Sequence, residues 1–244
     1  MRKLAPALAA AFTLALPSAA CALPSSLLYL FDGSSAGSPG PTLTLHGGAT
    51  TTGNGVGHGA EVPGDRALTL DGDDDYAEGQ DTTFSPGPGG DFSISLWAKS
   101  TGWGFSWQPL AFMDDDDYGT YSWAVYGTTA GSGTVHAYVR IRDGATLDTL
   151  DLHGTGTTLS DGAWHNLALS VDGNAATLYF DGTEIDDATS TLAGGAVNPD
   201  ADHLFVGGDT YFSSEKFRGF IDVLRYFDST IGAHDAVTLH NPAA

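Results

Sequence analysis

The sequence predicts an all-β protein of two stacked antiparallel sheets, and three observations carry that prediction. Strong helix formers are scarce, with 4 Glu, 3 Lys and 2 Met among 244 residues, while Gly, Thr, Asp and Ser dominate. Apolar residues recur in short runs, several of them alternating with polar residues at the period of two that marks a half-buried strand. Gly/Thr/Asp turns separate these runs at fairly regular intervals from residue 23 onward, with no Pro/Ser linker, repeat or long charge block, which favours one domain. Two stacked sheets accommodate so many strands better than a small barrel does.

Eleven runs read as strands. Residues 27–31 are apolar throughout and end at Asp32-Gly33, and residues 67–70 end in the same way at Asp71-Gly72. In 92–99, Phe92, Ile94 and Leu96 alternate with Ser93 and Ser95. Residues 109–113 and 121–126 are apolar and aromatic, on either side of an acidic run at 114–117. In 135–142, Ala137, Val139 and Ile141 alternate with His136, Tyr138, Arg140 and Arg142, so one face is apolar and the other polar. The runs 146–152, 164–171, 177–180, 204–206 and 217–227 complete the set. Asp172-Gly173 and Asp181-Gly182 bracket 177–180, the chemistry of tight hairpins, where both turn positions can require φ > 0.

Nine basic residues face 30 acidic ones, for a formal net charge of −21. The few Arg and Lys are scattered, so the field repels phosphate backbones and anionic lipid and excludes nucleic-acid binding. The acids serve solubility, and where they cluster they are candidates for holding a hard cation.

Residues 1–22 begin with Arg2 and Lys3, continue as an apolar run to Leu16, and close with Pro17 and small residues ending Ala20-Cys21-Ala22. That is the plan of a secretory signal peptide. The run is too short for a comfortable membrane span, and no later stretch approaches ~18 apolar residues, so no transmembrane helix is expected. The expected organisation is a signal peptide over 1–22 and one domain over 23–244, in a secreted, extracellular or periplasmic protein. Cys21 opens an alternative, because cleavage before it would expose an N-terminal cysteine for lipid attachment as in a lipoprotein; Ser18, however, stands where such a box usually has Leu. Cleavage after Ala22 leaves no cysteine and hence no disulfide.

The segment Asp161-Gly-Ala-Trp164-His165-Asn-Leu-Ala-Leu-Ser-Val-Asp172-Gly173, continued by Ala176-Thr-Leu-Tyr-Phe-Asp181-Gly182, resembles the "DGxWHxVAxxxDG…xLYxDG" stretch of laminin-G-like (LamG) domains. Three further matches come in order: Leu28-Tyr-Leu-Phe-Asp32 with the opening strand, Arg66-Ala-Leu-Thr-Leu-Asp71-Gly72 with the "ALxFDG" strand, and Phe217-Arg-Gly-Phe-Ile-Asp222-Val-Leu-Arg225-Tyr with the closing "FxGxIDxVRxY" strand. The resemblance spans about residues 27–240 and implies the concanavalin A-like jelly-roll sandwich. That fold is shared by lectins, glycan-binding modules, protein-binding ectodomains and some polysaccharide-degrading enzymes, so it specifies fold more than function. Trp164 and the Leu167/Leu169/Val171 face are expected to fill the inter-sheet core, with Tyr179 or Phe180 packing from the next strand.

Enzymes on this fold use a Glu-x-Asp-x-x-Glu strand, whose two glutamates flank the glycosidic bond. Glu184-Ile-Asp186 begins that pattern, but Ala188 and Thr189 follow and no Glu returns before Glu215. Glu184 stands just after the Asp181-Gly182 turn, where an exposed polar strand is the ordinary expectation. Gly33-Ser34-Ser35-Ala36-Gly37 matches a nucleophile-elbow string but sits in a Gly/Ser/Pro-rich loop. No His-x-His or His-Glu-x-x-His spacing announces zinc, and His165 reads as a hydrogen-bonded structural histidine. The expectation is therefore a protein that is not an enzyme.

Calcium is the cofactor the acids suggest. Asp32 and Asp222 fall on the first and last strands, which lie side by side in jelly rolls. The resemblance implies that Asp222 is a structural calcium ligand together with N-terminal backbone oxygens; a structural hydrogen bond, or pairing with Arg225 or Arg218, is the other reading. Asp73–75 and 114–117 lack the bidentate Glu of an EF-hand. The second run falls about where calcium-dependent laminin-G-like domains place a rim Asp, which points to Asp116 or Asp117. Trp103 and Trp107 stand in a Gly-flanked, loop-like stretch and are the candidates for stacking on a sugar or a partner protein. The reading that results is a secreted, non-catalytic module for an extracellular glycan. A cell-surface protein partner without sugar affinity is the alternative, and a polysaccharide-degrading enzyme comes third.

Overall fold

The computed structural model of the protein describes residues 27–37, 40–55, 65–80, 90–102, 107–114, 121–128, 133–192, 196–197, 203–209 and 215–241. In chain order the strands are β1 (Leu27–Tyr29), β2 (Thr44–His46), β3 (Thr50–Asn54), β4 (Arg66–Asp71), β5 (Tyr76–Gln80), β6 (Phe92–Ser100), β7 (Trp107–Asp114) and β8 (Trp123–Thr128). They continue with β9 (Thr134–Asp143), β10 (Thr146–Gly154), β11 (His165–Asp172), β12 (Ala175–Phe180), β13 (Thr183–Thr189), β14 (Ala196–Val197), β15 (His203–Val206) and β16 (Arg218–Phe227), before the helix α1 (Ala233–His240). Residues 1–22, the expected signal peptide with Cys21, lie outside the described residues. No helix among those described is long and apolar enough to cross a membrane.

Two antiparallel eight-stranded sheets result. The first runs β13-β12-β11-β6-β16-β4-β3, with β1 also paired to β16; the second runs β10-β9-β8-β7-β15-β5-β2, with β14 on β9. First and last strands are neighbours, as expected, with Leu28 opposite Arg225. The core lies between the sheets because the period of two sends alternate residues inward. Phe92, Ile94, Leu96, Leu167, Leu169 and Val171 enter from one side, and Met113, Trp123, Val125, Val139, Ile141 and Leu152 from the other. Trp123 anchors this layer, its ring 5.9 Å from that of Phe92.

The same parity corrects one expectation. Trp164 is even-numbered, so it faces away from the Leu167/Leu169/Val171 side and joins Trp97, Val223 and Leu28 on the outside of the first sheet. Tyr179 also packs outside, while Phe180 packs against the core and stacks on His165 at 4.7 Å.

All eleven expected strands exist, joined by β2, β3, β5, β13 and β14. The additions carry little apolar alternation; β13, for example, is a polar strand at the edge of its sheet. An extra residue, Ile185, sits at a bulge between the Leu178–Asp186 and Tyr179–Glu184 pairs and packs against the core. The Asp181-Gly182 turn behaves as its chemistry demands, with φ of 49° and 75°.

α1 was not legible as a helix. Its eight residues follow the N-cap Gly232, whose N–H donates to Asp235 Oδ2 at 3.0 Å. Ala236 and Leu239 then pack on Tyr179, Phe227 and Ile231. The segment leading into α1 packs on the first sheet's outer face at Ser93 and Ser170. Ser93 Oγ donates to the Ser229 carbonyl at 2.8 Å, and the Ile231 N–H donates to Ser93 Oγ and Ser170 Oγ, both at 3.0 Å. Ser93 of β6, expected on the polar face of its strand, is therefore buried.

His165 is structural. Its Nδ1 lies 2.8 Å from Asp181 Oδ2 and its Nε2 3.0 Å from Asp161 Oδ1, tying the loop before β11 to the β12–β13 turn. Burial opposes the imidazolium, but hydrogen bonds and charges from Asp181 and Asp161 outweigh it and hold the pKa above the usual histidine value. A raised folded-state pKa gives stability that is fully present below the unfolded value near 6.5 and is lost as pH rises through the folded value. Denaturant unfolding at pH 5.5 and 8.5 should show this component, and His165→Gln should flatten it; an identical pH profile in the variant would contradict the assignment.

Candidate functional site

The outer face of the second sheet is lined with rings, most of them buried, with Trp107 exposed among them. On the second sheet the residues that alternate with the core project outward, and many are aromatic. Tyr76 of β5, Phe205 of β15, Phe112 of β7 and Ala124 and Tyr126 of β8 form one cluster, with Tyr121 and Tyr138 packed against it. Trp107 opens β7 with 38% of its surface exposed. Its ring lies 4.8 Å from Tyr126, 6.2 Å from Tyr138 and 6.3 Å from His136. Arg140 sits 4.2 Å over the Tyr121 ring.

These rings line an open pocket of about 270 Å³ between Trp107, Pro109, Phe112, Tyr121, Tyr126 and Tyr138, with Asp114, Asp209 and Glu215 also in its wall. Burial pushes the Tyr126 phenol far above its ordinary pKa, so it is neutral. Burial and the charge of Asp209 raise the Glu215 carboxyl, while Lys216 opposes that shift. Lys216 is itself buried, with Nζ 3.8 Å from Asp209 Oδ1 and 5.2 Å from the centre of the Tyr76 ring. A mostly apolar concavity with a few convergent polar groups is the form of a small-ligand site.

Of the residues singled out from sequence, Trp107 is in this pocket, on a strand rather than a loop. Trp103 lies outside the described residues, as do Asp116 and Asp117. Asp114, the first of that acidic run, ends β7 and belongs to the pocket wall. Tyr121, Tyr126 and Tyr138 also line it; of these only Tyr138 carries a sequence signal, the alternation in 135–142 that places it opposite the core.

Asp32 and Asp222 converge on one peptide segment. The exposed Asp32 accepts the Arg66 N–H at 3.1 Å through Oδ1. Asp222 is fully buried and accepts the Val223 N–H at 2.7 Å through Oδ1, at a bulge where Val223 takes φ 48°. A β-carbon on Gly55 would lie 2.5 Å from the Arg66 carbonyl oxygen and 2.6 Å from Asp222 Oδ2. The missing side chain thus leaves a carboxylate and a carbonyl oxygen facing one small space, a donor pair that suits calcium. Burial pulls the nearby Arg225 guanidinium downward in pKa and Asp222 pushes it back. The other acidic run is a turn network: Asp75 accepts the N–H groups of Gly48 and Asp71, and Asp71 accepts that of Asp73. Asp186 of the incomplete glycosidase pattern accepts the His153 N–H at 2.7 Å, which ties β13 to β10, and Glu184 is exposed.

Known proteins share this architecture. Residues 71–236 match the laminin G family model described as Concanavalin A-like lectin/glucanases superfamily. No curated protein sequence matches the chain. Domain 4 of AbnA, a GH43 extracellular arabinanase from Geobacillus stearothermophilus, in complex with arabinotriose, is similar at a TM-score of 0.66 and 19% identity, over 89% of this chain and 98% of that one. The CBM40 of the Ruminococcus gnavus IT-sialidase, bound to alpha2,3 sialyllactose, is similar at 0.51 and 19% identity, over 66% and 86%. The botulinum neurotoxin serotype G binding domain follows at 0.62 and 13%, over 89% and 50%. At such identities the likeness is one of fold. Two antiparallel sheets with first and last strands adjacent, and a family match over more than half the sequence, establish that the chain belongs to the Concanavalin A-like lectin/glucanases superfamily.

Proposed function

We propose that the protein is an exported, non-catalytic module that binds a neutral extracellular glycan on the outer face of its second sheet. The observation that carries this reading is the aromatic-lined pocket around Trp107, Tyr126 and Tyr138 on the outer face of the second sheet, with Trp107 exposed at its wall. Sugar rings present apolar C–H faces that stack on aromatic rings, and their hydroxyls donate to carboxylates. Asp114, Asp209 and Glu215 supply the acceptors and, with the net charge of −21, disfavour acidic sugars. The arabinotriose and sialyllactose complexes of similar folds support the glycan class. Binding rather than cleavage is favoured because Asp186 is engaged by the His153 N–H and Glu184 is exposed.

A structural calcium belongs to the same proposal. Asp222 Oδ2 and the Arg66 carbonyl would hold it beside Gly55, with Asp32 fixing the Arg66 peptide. The ion would lock the β16 bulge to the β3–β4 connection.

The test is retention on a polysaccharide panel that includes arabinans, other neutral glycans and sialylated or uronic polymers, with released reducing ends measured in parallel. Retention on neutral members without release is expected. Release of reducing ends would contradict the binding-only reading and direct attention to Glu215 and Asp209, and retention on none would favour a protein partner.

A further inference from the structure

At the edge of the aromatic face, β9 and β10 place His136 directly opposite His153, and the period of two puts Asp151 on the same side as His153. The two imidazole rings are 4.5 Å apart, edge to face, and His153 Nε2 is 2.9 Å from Asp151 Oδ2. One donor atom from each of His136, Asp151 and His153 lies within 4.8 Å of the other two. His136 Nδ1 is shielded from solvent and has no hydrogen-bond partner among the described residues, an unfavourable state for a buried polar atom.

We propose that His136, Asp151 and His153 form a binding site for Zn2+, with the fourth coordination position left to water or a ligand. Two imidazoles and one carboxylate are the donor set of a borderline divalent ion in tetrahedral geometry, whereas calcium takes six to eight oxygens. The orphaned ring nitrogen of His136 points to a group that the hydrogen bonds do not account for. Local histidine spacing gives no sign of this set, because its members come from two strands brought together only by the β9–β10 register. The site is separate from the Asp222 cradle and does not depend on glycan binding.

The experiment is calorimetric titration of the chelator-treated protein with zinc chloride, in the presence of millimolar calcium, on wild type, His136→Ala, His153→Ala and His234→Ala. His153 is largely solvent-exposed on its strand, so its variant should keep the wild-type melting temperature in chelator and report on binding alone. One saturable equivalent is expected, weakened tenfold or more in the first two variants, roughly the scale of perturbed metal sites, and unchanged in His234→Ala on the exposed start of α1. No saturable uptake at submillimolar zinc would overturn the proposal. Uptake that is the same in His136→Ala and His153→Ala as in wild type would also overturn it, by assigning the metal to other side chains.

Discussion

Trp107→Ala is expected to weaken binding of a retained glycan by tenfold or more, and Trp107→Ala combined with Tyr138→Ala to abolish retention. Trp107 is the most exposed ring of the pocket and rests on Tyr126 and Tyr138 at 4.8 and 6.2 Å. The substitution therefore removes contact surface for a sugar without opening the inter-sheet core. Truncation of a central aromatic anchor typically costs about 2 kcal/mol or more of binding, which is more than tenfold in Kd. The melting temperature should hardly move, since Trp107 belongs to neither sheet's inner face. A Kd that stays within twofold of wild type would remove this face as the glycan site.

Asp222 is the second position where a large effect is expected, and here the effect is on stability. Asp222→Ala deletes the acceptor of the Val223 N–H at a bulge held in the left-handed region, and it takes away the charge that supports Arg225. Loss of one partner from a buried charged contact costs about 3 kcal/mol or more. Asp222→Asn keeps the shape and a hydrogen-bond acceptor while losing the charge that calcium needs. In wild type, calcium at a hundredfold its dissociation constant adds about 2.7 kcal/mol, which for a domain of this size raises the melting temperature by roughly 5–10 °C. Asp222→Asn should fold and show no such rise. A wild-type melting curve that is identical in calcium and in chelator would contradict the calcium assignment, and a calcium response retained in Asp222→Asn would relocate it.

The fold was readable because the core strands announce themselves. Phe92-Ser93-Ile94-Ser95-Leu96 and 135–142 alternate strictly, and the Asp181-Gly182 pair specifies its turn by its own conformational preference. What escaped lies where local pattern and tertiary context part. β13 is polar because it is an edge strand, and α1 is too short to show an amphipathic period. Trp164 misled because a tryptophan in a strand motif suggests core, whereas its even parity sets it on the outside.

Of the pocket's lining, the sequence singles out one residue, Trp107, and it pairs Asp32 with Asp222, both of which the fold brings near Arg66. The pocket's wider composition was not legible. Tyr126, Tyr138 and Asp209 come from three strand regions that become neighbours only through the order β9-β8-β7-β15. A buried or half-buried tyrosine on a strand gives no signal in sequence that separates a ligand platform from ordinary packing. The difference arises from tertiary packing: Tyr179 on the first sheet is buried by the C-terminal helix, whereas Tyr126 and Tyr138 on the second line a pocket beside the exposed Trp107.

The most direct measurement is a titration of 15N-labelled protein with a retained glycan, followed through the five tryptophan indole N–H signals and assigned by Trp107→Phe. The Trp107 indole should shift progressively to saturation while those of the buried Trp97 and Trp123 stay in place. A saturating glycan that leaves the Trp107 signal unmoved would contradict the assignment of this face as the binding site.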